Sequence, residues 1–375
     1  MGRTSAAPRQ LPMAPRPLKG ELVSSWLSRV AAANCISLEE LLDALSLVNR
    51  WSRCPSECLD MNLDPVMRLA LSDFCRVPSE FVSQLTLERQ FPGVPKEMFL
   101  SFPNFFGVSG CPITSRVGYA FCPDCLHEAA RTGDPCYIPA VWSLALLTHC
   151  RVHLRPLHSQ CPVCLVEEPL LFPSPPKSGF FCRSCGFDFS LKLIRERPAP
   201  RINAVMALED AYINAVHGRA PDPQWLSEIS STDFRKLVES LVILFSSRLA
   251  SETHILAVFL LDREVVEQYH FCRHAAEAKL AYFSWHWRFA VIFSIAKVIF
   301  GKRGDPIRSP LRPDSSDVFF ELLRDLPWED HFHIIVASRT WPARLQDEFG
   351  LAMKRLEERA WASKRNPAQI ELRVS

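Results

Sequence analysis

Apolar residues recur at helical spacing along most of this chain. Leu22, Val23, Trp26, Leu27 and Val30 share one face, which predicts a helix that Asn34 ends. Ser37 and Glu40 form a capping box for a second helix through Leu41, Leu42 and Leu45. Asp64-Pro65 reads as a cap with proline at the first helical position, opening a short helix through Leu69 and Leu71. Pro78-Ser79-Glu80 opens another, with Phe81, Val82 and Leu85 apolar. The turn FCRVP between these two gives a helix-turn-helix pattern. From Asn203 to Ala362 the helical period returns, broken near Ala220–Pro223, Gly301–Ser316 and Leu326-Pro327.

The pattern fails in three places. Residues 1–20 are rich in Pro and Arg and read as a disordered arm. Residues 92–120 are rich in Phe, Pro and Gly and read as irregular. Residues 121–190 carry closely spaced cysteines in place of an apolar period. The expected organisation is therefore an arm at 1–20, an N-terminal helical domain at 21–120, a cysteine module at 121–190 and a C-terminal helical domain at 203–375. The fold class is mostly α, with the helix-turn-helix pair in the N-terminal domain and tandem zinc ribbons in the centre.

Composition narrows the function. Hydrophobic residues make up 48% and charged residues 22%, the balance of a folded soluble domain. The 43 basic residues nearly cancel 41 acidic ones, so nucleic-acid contact has to come from a local patch. The most apolar stretch, Tyr282 to Phe300, carries His286, Arg288 and Lys297 and reads as a buried helix, not a membrane span. The first twenty residues have no apolar segment of a secretory signal. The 14 cysteines then point to a reducing cytoplasm and metal-bound thiolates.

Four ligand pairs follow one another: Cys122/Cys125, Cys150/His153, Cys161/Cys164 and Cys182/Cys185. A Cys-x-x-Cys turn offers two sulfurs to one ion, and zinc takes four ligands. Eight ligands supply two complete sites, which predicts two structural Zn2+ ions. Sequential pairing gives a first site of three cysteines and one histidine, then a second site of four cysteines. Cross-brace pairing would join the first pair to the third. The seven residues between His153 and Cys161, and the lower entropy of closing short loops, favour the sequential arrangement. Cys136, His127, His149 and His158 are possible replacements for one of these ligands. Cys54, Cys58 and Cys75 could serve a third ion but read more simply as small buried hydrophobes. Trp142, Leu144, Leu146 and Leu147 suggest a small helix beside the metal.

Enzymatic signatures fail. His127-Glu128-Ala-Ala-Arg131 has Arg where a zinc hydrolase needs its second histidine. There is no His-x-Glu before a Pro-Cys-x-x-Cys, as a zinc deaminase would have, and no phosphate-binding Gly-rich loop. Two saturated sites leave the metal no open position, so no catalytic residue and no small-molecule substrate are expected.

Two blocks together resemble the TniQ family of transposon-encoded proteins, related to TnsD. One is PLKGELVSSWLSRVAAANCIS, Pro17 to Ser37. The other combines Cys122-Pro-Asp-Cys125, Trp142-Ser-Leu144, Thr148-His-Cys150-Arg-Val-His153, Cys161-Pro-Val-Cys164 and Cys182-Arg-Ser-Cys185-Gly186. The similarity runs over roughly residues 12–190. It implies a non-catalytic target-selection adaptor linking attachment-site DNA or a CRISPR Cascade complex to an AAA+ ATPase and a transposase, in some members as a homodimer. Cys35 stands where the family commonly has glycine, so a slightly different turn is expected there. The competing reading is a stand-alone sequence-specific DNA-binding regulator using the ribbons and the helix-turn-helix.

Candidate nucleic-acid residues are Arg151, Arg155, Arg183, Lys192, Arg195 and Arg197. Between Arg151 and Arg201 there are eight basic residues against four acidic, enough to neutralise a few phosphates. A second basic loop holds Lys302, Arg303, Arg308 and Arg312. The second helix of the helix-turn-helix pair would present Ser79, Glu80, Ser83 and Gln84. With Glu80 facing a phosphate backbone, it suits protein docking better than base reading.

Overall fold

The computed structural model describes residues 10–44, 57–103, 115–117, 119–159, 161, 163–164, 171–172, 180–182, 184–189, 202–220, 229–251, 280, 285–300, 319–320, 323, 335–336, 338–339 and 341–365. These residues are mostly helical. They fall into two compact units, Met1–Ala199 and Pro200–Ser375.

In the first unit, α1 (Val23–Ala33) buries Val23, Trp26, Leu27 and Val30, the face expected from its spacing. Its last turn closes on Asn34. Cys35 then adopts φ 55°. The turn expected to differ is thus the left-handed one a glycine would make, and Cys35 carries its steric cost. Helix α2 (Leu38–Ala44) opens with the predicted capping box. The Glu40 carboxylate accepts from the Ser37 amide at 2.7 Å, and the Ser37 hydroxyl accepts from the Glu40 amide at 3.1 Å. After α3 (Glu57–Met61), α4 (Pro65–Cys75) is capped by Asp64, which accepts from the Met67 amide at 2.8 Å. Left-handed Arg76 ends α4, and α5 (Ser79–Gln84) and α6 (Leu87–Gln90) follow.

The start of α1 has no side-chain cap of its own. Buried Asp60 on α3 supplies one, accepting from the Ser24 amide at 2.8 Å. Residues 10–20, the part of the expected arm that the structure describes, run along α1 instead of leaving it. The Trp26 indole donates to the Pro15 carbonyl at 2.8 Å and the Arg29 guanidinium to Arg16 at 2.9 Å. Leu11 joins the core of α1, α2, α4 and α5. Pro12, Pro15 and Pro17 have no amide hydrogen to donate, but the segment's carbonyls accept bonds from α1.

Glu21 ties this unit together. It is fully buried and receives Nε and Nη2 of Arg29 at 2.8 and 2.6 Å, the Ser25 hydroxyl at 3.0 Å and the Leu18 amide at 2.9 Å. The block Glu21-x-x-x-Ser25-Trp26-Leu27-x-Arg29 is therefore one hydrogen-bonded constellation. The Leu22 amide donates to Ile138 at 3.1 Å, and the Ala140 amide donates to Gly20 at 2.7 Å. Helix α1 is thus stitched to the cysteine-bearing segment by backbone pairing.

Residues 92–120 hold more order than their composition suggested. A two-stranded antiparallel sheet, β1 (Ser101–Pro103) with β2 (Ser115–Val117), pairs Phe102 with Arg116. The helix expected around Trp142 is a single 3-10 turn, Ala140–Ser143. Leu144, Leu146 and Leu147 beyond it are buried.

In the second unit, α8 (Ile202–Val216), α9 (Ser231–Ser251) and α10 (Trp285–Phe300) pack against one another. The buried reading of Tyr282–Phe300 holds for α10, where Phe289, Val291, Ile292, Ile295 and Ile299 are all enclosed. Arg288 is fully buried with them, and burial lowers it to about 10, opposed by Glu209 of α8. Trp341 precedes α11 (Ala343–Arg365), stacks on Phe319 with centroids 5.7 Å apart and donates to Ser240 at 3.3 Å. No helix among the described residues is long and apolar enough to cross a membrane.

Candidate metal centres

The first centre begins at a helix start. Cys122 has extended backbone and precedes α7 (Pro123–Thr132), with Pro123 at the first helical position. Cys125 lies in the first turn, so both sulfurs sit at the positive end of the helix dipole, where thiolates are favoured. The other two residues of the group, Cys150 and His153, come from a tight loop. The Cys150 amide donates to Arg155 at 2.8 Å, and the Leu154 amide returns to the Cys150 carbonyl at 2.9 Å. Leu154 has φ 54°, which reverses the chain just after His153 and returns Arg155 to pair with Cys150. Reciprocal bonds between Phe121 and His158, both 2.8 Å, hold the loop against Cys122.

The second centre repeats that loop. The Cys182 amide donates to Phe187 at 2.8 Å and the Gly186 amide to the Cys182 carbonyl at 2.8 Å, with Gly186 at φ 70°. Strand β4 (Phe181–Cys182) leads into it and pairs with β3 (Leu171–Phe172). Phe189 meets Phe121 edge-on at 4.7 Å, joining the two loops through one aromatic contact.

The eight ligand-type residues form two groups in sequential order. Cys122, Cys125, Cys150 and His153 make one, and Cys161, Cys164, Cys182 and Cys185 the other, with all ligand atoms of a group within 4.8 Å of one another. In a zinc tetrahedron, bonds of about 2.3 Å to sulfur and 2.0 Å to nitrogen put S···S near ~3.8 Å and S···N near ~3.5 Å. His153 Nδ1 lies 3.5, 3.3 and 3.7 Å from the sulfurs of Cys122, Cys125 and Cys150. Cys125 to Cys150 is 3.5 Å, and Cys161–Cys185 and Cys164–Cys182 are 3.6 Å. A disulfide needs about 2.05 Å. These are spacings that a tetrahedral metal would span.

Electrostatics point the same way. Hydrogen bonds from Cys122 and Cys125 hold the Cys150 thiol well below its usual range. Bonds to Cys122 and Cys150, then burial, hold the Cys125 thiol far above its usual range. Burial pushes Cys182 up to about 12 and raises Cys161. A divalent cation would favour the ionised form of these crowded thiols. Both groups could hold one, and their soft donor sets suit zinc.

Around the first group, His153 Nε2 faces Glu128 Oε1 at 3.0 Å, and Arg155 Nε faces Asp124 Oδ2 at 2.9 Å. Neither acidic partner was singled out from the sequence, although Glu128 stands in the failed hydrolase motif. The other candidate ligands stay apart from these two groups. The Cys136 thiol points to the Leu126 carbonyl at 3.7 Å, His149 Nδ1 lies 2.9 Å from the Thr148 hydroxyl, and the His158 ring packs beside Phe121. Cys75 is buried on α4, away from both groups, and Cys54 lies outside the described residues.

Of the basic candidates, Arg151 is half-buried in the first loop and Arg155 is half-buried in its ion pair with Asp124. Arg183, Lys192, Arg195 and Arg197 lie outside the described residues, as do Lys302, Arg303, Arg308 and Arg312. On α5, Glu80 and Gln84 are exposed.

The family model TniQ matches residues 12–157. That span takes in the Glu21 constellation and all four residues of the first group. It ends before the second group and the helices of the second unit. No curated protein matches the chain.

Proposed function

We propose that this TniQ-family chain, a transposition-associated target-selection protein, is a non-catalytic adaptor. It would link a targeting element, attachment-site DNA or a CRISPR Cascade complex, to an AAA+ regulator and a transposase. The observation that carries this reading is the TniQ match over residues 12–157, which covers both the Glu21 constellation and the first four-ligand group.

In this reading Cys122, Cys125, Cys150 and His153 hold one Zn2+, and Cys161, Cys164, Cys182 and Cys185 hold a second. When bound, the ions would cross-link loops that have little apolar core of their own. Four protein ligands leave each ion no position for substrate, so no catalytic step is assigned to either. Thiolate ligands suit a reducing compartment, in keeping with a cytoplasmic protein. The DNA-facing part of the proposal rests on Arg151 and on Arg183, Lys192, Arg195 and Arg197. Arg155, already paired with Asp124, contributes less.

The test is co-purification. The adaptor reading expects a neighbouring gene for an AAA+ ATPase; the tagged protein should retain that ATPase, and Cys161→Ser should weaken the capture. Failure of the wild type to capture the ATPase, together with tight binding of the isolated protein to a single DNA sequence, would replace the adaptor with a stand-alone regulator. The salt slope of any DNA binding should fall by roughly one on Arg151→Ala.

A further inference from the structure

We propose that Glu128 is a positioning residue for the first metal centre: it fixes the His153 ring so that Nδ1 is the ligating nitrogen. This rests on the reading that the first four-ligand group holds zinc. His153 uses its two nitrogens in opposite directions. Nδ1 faces three sulfurs at 3.3 to 3.7 Å, while Nε2 faces Glu128 Oε1 at 3.0 Å. A neutral imidazole carries one N–H. If Nδ1 gives its lone pair to a metal, the proton belongs on Nε2, where it donates to the carboxylate.

The sequence makes this arrangement local. Glu128 lies three residues after Cys125 on α7, so ligand and orienting carboxylate share one face of a helix. The same helix carries Asp124, which holds Arg155 two residues beyond His153. Helix α7 therefore supplies Cys125 and grips the opposing loop at two points, His153 and Arg155. In the failed hydrolase motif His127-Glu128-x-x-Arg131, the glutamate serves a ligand on another segment instead of acting on a substrate. The four cysteines of the second centre have no second donor nitrogen to orient, so this device belongs to the first centre alone.

Glu128 is 56% exposed, so its replacement leaves the fold intact and places the effect at the low end for such partners. Zinc-loaded wild type, Glu128→Gln and Glu128→Ala would be followed as they lose zinc to a chromophoric chelator. Nitrogen-15 spectra of the histidine rings would be recorded alongside. We expect two release phases, of which one quickens about tenfold in both variants while the other is unchanged. We also expect the Nε2–H resonance of His153 to move in Glu128→Gln. Wild-type release kinetics in both variants, or an unmoved Nε2–H, overturns the role of Glu128 while leaving the zinc reading standing. A wild type that binds no zinc overturns both.

Discussion

Leu154 and Gly186 occupy the same place in two copies of one loop. Each stands four residues after a cysteine of the candidate metal groups, Cys150 or Cys182, and its amide returns to that cysteine's carbonyl. Both are left-handed, at φ 54° and 70°. Glycine adopts that conformation without strain, whereas leucine bears about 1–2 kcal/mol. Part of the relief is lost to the greater freedom of an unfolded glycine. Leu154→Gly should therefore stabilise the protein by about 0.5 kcal/mol, and Gly186→Ala should destabilise it by a similar amount. Urea denaturation of the two variants checks both signs.

Cys35 makes a parallel case outside the metal loops. It is exposed and has φ 55°. Cys35→Gly should raise stability by about 0.5 kcal/mol for the same reason. It should leave zinc content unchanged, which metal analysis would show.

The Glu21–Arg29 pair is nearly dry, with side chains 0% and 11% exposed. Removing the cation alone leaves a buried carboxylate without its partner, so Arg29→Ala should cost about 3 kcal/mol. The double variant Glu21→Gln, Arg29→Met should recover much of that loss, because it removes both charges. A double variant no better than Arg29→Ala would show that packing, not charge pairing, dominates.

Zinc analysis should return two ions per chain, and one in Cys161→Ser. Metal uptake displaces protons from thiols that the metal-free groups hold high, Cys125, Cys161 and Cys182. Apparent zinc affinity should therefore rise with pH through the neutral range. Competition titrations at several pH values measure this. A flat profile would mean that the thiols are already ionised without metal.

Cys75 gives an alkaline signature that involves no ligand. Burial pushes its thiol from 9.0 up to about 12. The folded state then holds a proton that the unfolded state releases. Its stabilising effect is whole below the unfolded value and fades as pH rises toward the folded one. Between pH 9.0 and about 12 the loss should approach 1.4 kcal/mol per pH unit. Cys75→Ala should flatten the decline in urea midpoint over that window.

Much of this protein is written in short-range pattern. The buried face of α1, the Ser37–Glu40 capping box, the Asp64-Pro65 start of α4 and the sequential order of ligand pairs all follow from spacing, because helix faces, caps and tight turns are local. The two groups of four ligand-type residues were legible because a metal site needs a fixed set of donors at close intervals. What the sequence alone could not assign depends on segments far apart in the chain. Asp60 caps α1 from another helix, Glu21 reaches residues 138–140 through its neighbours, residues 10–20 lie along α1, and Glu128 finds His153 twenty-five positions later. Side-chain hydrogen bonds act over about 3 Å, so such pairings exist only once packing brings the elements together.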